Sequence, residues 1–381
     1  MRKRTMVGAV LAALGLVVSS GLPAGATVSE NPRNCAQVDG RVSTIIFSGT
    51  TAYLGGSFTK VKSPNGKWVT RNRLAAVNTS TCAVLAWAPT ANGEVRALHL
   101  LGTTVYVGGY FTTLNGVTRN RLGAVNTTGA LLPFNPNLNG SVRAITSYGG
   151  RLFVGGDFLK VGATARNKLA AFYTSSGGFD WYWKPVAGGN VHSLAVSPDG
   201  QRLYVGGRFT SLAGSAYAAY LGALRPTTAA LDTTFLPRPG WPVDSVAVDT
   251  RGVYAGGGGN GGHLGIWNTN GTLQRPLYVT DGDVQALAVD GSSLYAGGHF
   301  TAYCVGGTGG GTPFKCSRKQ ERRKFFEVNL TTGAVTGWSP TIDSALGVWA
   351  AKVDPVSHDL WAGGDFSTVN TRSAQHLAVF P

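Results

Sequence analysis

Short apolar runs broken by glycine, asparagine and threonine dominate the chain from Val42 onwards. The pattern is clearest between Val95 and Pro136, with VRALHL from Val95, VYVGG from Val105, RLGAVN from Arg121 and LLPFNP from Leu131. Each run is rich in β-branched or aromatic residues, and LG, TLNG and TTG separate them. This predicts four short strands joined by tight turns. The sustained three-and-four apolar spacing of helices is absent after the first 26 residues.

The second of these strands recurs. VYVGGYFTTLNG, from Val105, has counterparts in AYLGGSFTK from Ala52, LFVGGDFLK from Leu152, LYVGGRFTS from Leu203, VYAGGGG from Val253, LYAGGHFTA from Leu294 and LWAGGDFST from Leu360. The aromatic before each glycine pair falls at Tyr53, Tyr106, Phe153, Tyr204, Tyr254, Tyr295 and Trp361. A period of roughly 40 to 50 residues belongs to propeller blades. The one longer interval contains an insertion at 301–324. The expected fold is therefore all-β, a seven-bladed β-propeller of four-stranded antiparallel blades.

Glycine pairs at the end of a second strand suit close backbone approach and positive φ. Phe58, Phe111, Phe158, Phe209, Phe300 and Phe366 would fill the wedges between sheets. The fifth copy, GGGGNGG, lacks this phenylalanine, which predicts a shortened or irregular blade. The chain ends in HLAVFP, matching a third strand, while TVSENPRN near the start resembles LLPFNPNL, with Asn31-Pro32 in the place of Asn135-Pro136. An N-terminal strand completing the last blade would remove the open edges of the ring.

The pattern YVGGYFTTLNGVTRNRLGAVNTTGALLPFNP, recurring over nearly all of the chain after residue 26, resembles the delta-60-type β-propeller repeats of secreted bacterial proteins, often actinobacterial. The resemblance implies a propeller, and it brings no catalytic motif with it.

The ends and the cysteines bear on compartment. MRKRTMVGAVLAALGLVVSSGLPAGA joins a basic start, an apolar run and a small-residue cleavage pattern at Ala24-Gly25-Ala26, so 1–26 reads as a signal peptide and 27–381 as one propeller domain. An uncleaved anchor is the alternative, against which the apolar run is short. Four cysteines in an exported chain favour disulfides over zinc, whose ligand spacings they do not match. Cys304 with Cys316 is the favoured local pair of the three possible pairings, which leaves Cys35 with Cys82.

Formal net charge is +15, falling to +12 without Arg2, Lys3 and Arg4. Part of it is concentrated in KCSRKQERRK, where Arg318, Lys319, Arg322, Arg323 and Lys324 are candidate anion-binding residues for an extracellular polysaccharide or other polyanion. A solvated loop is the plainer reading. Arginines also repeat after the phenylalanine, as Arg71 and Arg73, Arg119 and Arg121, Arg166 with Lys168, and Arg372. Their repetition argues for structure, and a basic rim for anions is the sharper alternative.

Aligned on the valine that opens each innermost strand, the next residue is Ser43, Arg96, Arg143, His192, Asp244, Gln285 or Trp349. The residue before the valine is Arg41, Glu94, Ser141, Asn190, Pro242, Asp283 or Gly347. These positions differ where a structural repeat should repeat itself. Arg96, Arg143, His192, Asp244, Gln285, Trp349, Glu94 and Asp283 are thus the candidate ligand residues at a channel mouth, although a water-filled channel would also satisfy them. The glycine run near Gly256 lacks the strand–helix context of a dinucleotide site, and no HExxH pair or GxSxG elbow occurs.

The expectation is a secreted or wall-associated, non-catalytic module, monomeric, without cofactor, metal or specific nucleic acid, that binds cell-surface glycan or another anionic polymer. A polysaccharide lyase or glycoside hydrolase with His192 or a carboxylate as acid or base is the enzymatic alternative. A structural surface protein is the third.

Overall fold

A computed structural model describes residues 28–306, 309–310 and 315–381. The signal-peptide reading of 1–26 lies outside the described residues, as does part of the insertion. The described chain is almost entirely strand and turn, with one short 3-10 helix at Ala216–Ala218.

Each repeat forms an antiparallel three-stranded unit. In the second, Val95–Leu101 pairs with Thr104–Gly109, which pairs with Leu122–Asn126. The innermost strands of the others are Val42–Ser48, Val142–Tyr148, Val191–Val196, Val243–Val248, Val284–Asp290 and Val348–Val353. A fourth segment joins most sheets by a single bridge, as at Val125 with Leu131 and Val328 with Val335. Prolines in LLPFNP and its counterparts carry no N–H and stop the ladder there.

Glycine pairs mark the closest approaches. A Cβ on the first glycine of each pair would lie 2.4–2.7 Å from the valine that opens the next sheet, as for Gly155 against Val191 and Gly363 against Val42. A Cβ on the second would strike the carbonyl before its own innermost strand, 2.0 Å away for Gly156 against Ser141. None of these glycines has positive φ, so close approach alone requires them.

The aromatic before each pair packs against an aromatic of the fourth segment. Tyr53 meets Trp87, Tyr106 meets Phe134, Phe153 meets Trp183, Tyr204 meets Phe235 and Tyr295 meets Trp338, with centroids 4.8–5.5 Å apart. Such pairs add to the area they bury. The phenylalanines after the glycines are buried between sheets.

The fifth sheet is irregular, as one of the two expectations had it, but it is extended and not shortened. It continues through Tyr278–Thr280, Ala302–Cys304 and Lys319–Glu321 to six strands. Trp241 lies beside Gly259, where the phenylalanine is missing, and packs on Trp267, which folds over Gly265. The tryptophans supply the volume that the phenylalanine supplies elsewhere.

At the chain ends, the N–H groups of Ser29, Arg33 and Val38 donate to the carbonyls of Pro381, Val379 and Gln375 at 2.7, 2.9 and 3.0 Å. Arg33 thus takes the role that Leu85 plays opposite Ala76, a register different from the Asn-Pro alignment because hydrogen bonding, not composition, sets it. Cys35 is bonded to Cys82 of the first repeat, and Cys304 to Cys316. Both expected disulfides are present.

Candidate functional site

The ladder between the first two strands shifts by one residue in all seven repeats, between Val42 and Thr44, Val95 and Ala97, and so on to Val348 and Ala350. The skipped residue is the variable one after the valine. A bulged residue has no cross-strand partner and its side chain is re-aimed, so one irregularity repeated seven times turns Ser43, Arg96, Arg143, His192, Asp244, Gln285 and Trp349 toward one place. All seven line a cavity of about 400 Å³, together with Asn190 and Arg208.

A second variable position reaches the same place, the residue between the glycine pair and the phenylalanine. It is Ser57, Tyr110, Asp157, Arg208, Gly258, His299 or Asp365. Tyr110, Asp157, Arg208 and Asp365 all contact the bulged ring or its neighbours, and sequence reasoning missed them. Their signal was the same failure to repeat.

The arginine series after the phenylalanine supports this ring from behind. Arg73, Arg121, Lys168 and Lys324 adopt φ between 68° and 76°, a region that costs a side chain energy. Each donates to the carbonyl of the second variable residue: Ser57, Tyr110, Asp157 (2.8 Å) and His299 (2.9 Å). Arg71, Arg119, Arg166 and Arg322 donate instead to carbonyls of the fourth segment, at Leu85, Leu132, Trp181 and Thr336 (2.8–3.0 Å). In the last repeat Arg372 donates to Pro32 at 3.0 Å.

One side of the cavity is cationic and aromatic. Arg41 bonds Asp365 at 3.1 Å and reaches Glu94 at 3.4 Å, with its guanidinium 4.3 Å from the Trp349 ring centre. Glu94 also accepts from Ser43 at 2.9 Å and meets Arg96 at 3.4 Å. Arg143 holds both Asp157 oxygens through Nε (2.8 and 2.9 Å) and donates to the Tyr110 hydroxyl at 2.8 Å. Burial alone would raise the Asp157 pKa, and hydrogen bonds from Arg143 and Ser141 outweigh it and hold the carboxyl below its ordinary value.

The other side is acidic. His192 Nδ1 lies 2.7 Å from Asp244 Oδ1, which Arg208 approaches at 3.5 Å. Asp283 sits where a Cβ on Gly258 would strike it at 1.9 Å, so only glycine leaves room there. Burial, then the nearby Asp244 carboxylate, raise the Asp283 pKa. Buried Asp244 Oδ2, Gln285 Oε1 and Trp349 Nε1 have no hydrogen-bond partner among the described residues.

The basic segment divides. Arg322 and Lys324 are buried, with donors committed to the carbonyls named above, because ERRK is the sixth repeat's copy of the TRNR motif. Arg318, Lys319 and Arg323 are exposed, and Arg323 pairs with Glu321. Among the described residues no three His, Cys, Asp or Glu side chains gather as metal ligands, and no helix is long and apolar enough to cross a membrane.

The architecture resembles a solved β-propeller. The WD40 beta propeller domain of Doa1 superposes with a TM-score of 0.58 at 11% identity, over 87% of this chain and 93% of that one. The computationally designed Ika8 protein gives 0.51 at 13% identity, over 92% and 99%. This chain is an all-β protein of the β-propeller fold, and at such identities the likeness extends to fold alone. No family model matches it, and no curated protein matches its sequence.

Proposed function

We propose that the protein is a secreted, non-catalytic binding module of the delta-60 type, one domain over 27–381, whose cavity takes cell-surface glycan or another anionic polymer. The observation that carries this is the ring of seven bulged, non-repeating side chains around one cavity, on a scaffold that otherwise repeats closely. A β-propeller fold and two disulfides are consistent with an exported interaction module. A seven-bladed ring closed by the N-terminal segment is part of the reading. The hydrogen bonds of Ser29, Arg33 and Val38 to the last strand, and the contact of Gly363 with Val42, support it.

A glycan array probed with the protein from Thr27 onwards tests the binding. Signal should fall when His192→Ala or Asp244→Ala is introduced, and an array blank for the parent protein would overturn the proposal. Exposed Arg318, Lys319 and Arg323 add a secondary anionic contact. Their replacement by Ser should lower retention on an acidic polysaccharide at low salt, because attraction between exposed charges is screened over about 10 Å at 0.1 M. Unchanged retention would reduce them to a solvated face.

The enzymatic alternative rests on His192. Asp244 fixes its Nδ1 and leaves Nε2 to face a substrate as acid or base. Products released from a bound polysaccharide by the parent protein, and absent with His192→Ala, would favour it over binding alone.

A further inference from the structure

We infer that the cavity recognises a uronic acid residue of its glycan, with Arg96 as the receptor of the sugar carboxylate. This rests on the binding reading above and names the chemistry of the ligand.

The three arginines on the cationic side are not equivalent. Arg143 spends its guanidinium on Asp157 and Tyr110, and Arg41 spends two nitrogens on Asp365 and Glu94. Arg96 has a single carboxylate neighbour, one oxygen of Glu94 at 3.4 Å, and shares that oxygen with Arg41 and Ser43. Its Nε and Nη2 have no acceptor among the described residues. The group is nevertheless held in place, with its carbon 5.1 Å from the Trp349 ring centre and 5.7 Å from that of Tyr110. A stacked guanidinium with an unspent fork is pre-organised for bidentate bonding to a planar carboxylate.

The acidic wall has the opposite need. Asp244 Oδ2 and Gln285 Oε1 are buried acceptors without donors, in residues that line the same cavity. A buried polar atom in that state costs free energy until a donor arrives. An anion alone would satisfy Arg96 and leave both acceptors empty, whereas a neutral sugar would do the reverse. A sugar carrying a carboxylate meets both. A free amino acid also carries an anion and donors, but a cavity of about 400 Å³ lies within the ordinary range for larger ligands and would be poorly filled by it.

Calorimetric titration with glucuronate, glucose and glutamate separates these ligands, and oligogalacturonate, whose units are the C4 epimer of glucuronate, tests a sugar carboxylate within a polymer. Glucuronate should bind roughly tenfold or more tightly than glucose, the scale of one charged hydrogen-bonded contact. Arg96→Gln should erase that preference by weakening glucuronate far more than glucose, while Asp244→Asn should weaken both sugars alike. Equal binding of glucose and glucuronate, or a preference that survives Arg96→Gln, would overturn the carboxylate assignment and leave the glycan reading standing. Binding of glutamate but not glucuronate would overturn it in favour of a zwitterion. Absence of binding by every sugar would defeat both readings. Thermal melts of each variant, expected within a few degrees of the parent, exclude misfolding as the cause.

Discussion

Gly156, paired with Val142, and the bulged Arg143 next to that valine belong to one hairpin and obey opposite rules. At Gly156 every repeat has glycine, because any larger residue would drive its Cβ into a backbone carbonyl. At Arg143, one residue past Val142, the seven repeats carry six different residue types, arginine alone occurring twice, because the bulge lifts that side chain out of the ladder. Seven copies in one chain thus separate scaffold from site without any homologue. Where packing decides, the copies agree; where a cavity decides, they diverge.

Four measurements break or sharpen this contrast. The largest effect belongs to the scaffold's covalent link. Cys35 and Cys82 are separated by 47 residues, and a bridge of that span stabilises by about 4 kcal/mol through the unfolded chain. Cys35→Ser with Cys82→Ser should lower the unfolding free energy by nearly that amount in denaturant titration. Gly156→Ala should follow, at about 3 kcal/mol for overpacking against backbone. Toleration of that alanine would break the comparison outright.

The basic residues give a third test, smaller and within a single segment. Arg322→Ala removes charged donors to the Glu321 and Thr336 carbonyls and should cost about 2 kcal/mol. Arg318→Ala, exposed a few residues earlier, should change stability by less than about 0.5 kcal/mol. Equal effects from the two would refute the assignment of Arg322 to the scaffold.

The fourth test sets two carboxylates that stand behind cavity-lining arginines, Asp157 beside Arg143 and Asp283 near Arg208, against each other by pH. The folded pKa of Asp157 is depressed, so its stabilisation is complete above the ordinary value of 3.8 and is lost as pH falls through the folded value. Asp283 has a raised folded pKa, so its favourable contribution exists below 3.8 and disappears as pH rises through the folded value. Melting curves at neutral pH should show Asp157→Asn destabilised and Asp283→Asn stabilised. The Asp283→Asn gain should vanish in acid near 3.8, and the Asp157→Asn deficit only at still lower pH. The same sign for both at neutral pH would contradict the two environments.

Much of the candidate site was legible because its residues interrupt a repeat. Arg96, Arg143, His192, Asp244, Gln285 and Trp349 were visible as misfits after a regular valine, and they line one cavity. Tyr110, Asp157, Arg208 and Asp365 were equally visible within the glycine–phenylalanine motif, but nothing local shows that the two positions converge. Arg322 and Lys324 were misleading for the complementary reason. Read as part of a basic run they look like surface charge, and aligned with Arg71 and Arg73 they are scaffold.

The sequence by itself determined the strands, the turns, the repeat and the close approach at the glycines, and it favoured the local Cys304–Cys316 pair, because strand alternation, turn chemistry and repetition are encoded within tens of residues. Tertiary structure alone decided which variable residues meet, the register of the N-terminal segment and the extension of the fifth sheet. Those outcomes depend on where a bulge turns a side chain and on which backbone groups from distant repeats find one another. No local pattern encodes a direction in space, so the cavity became visible only when the sheets were assembled around it.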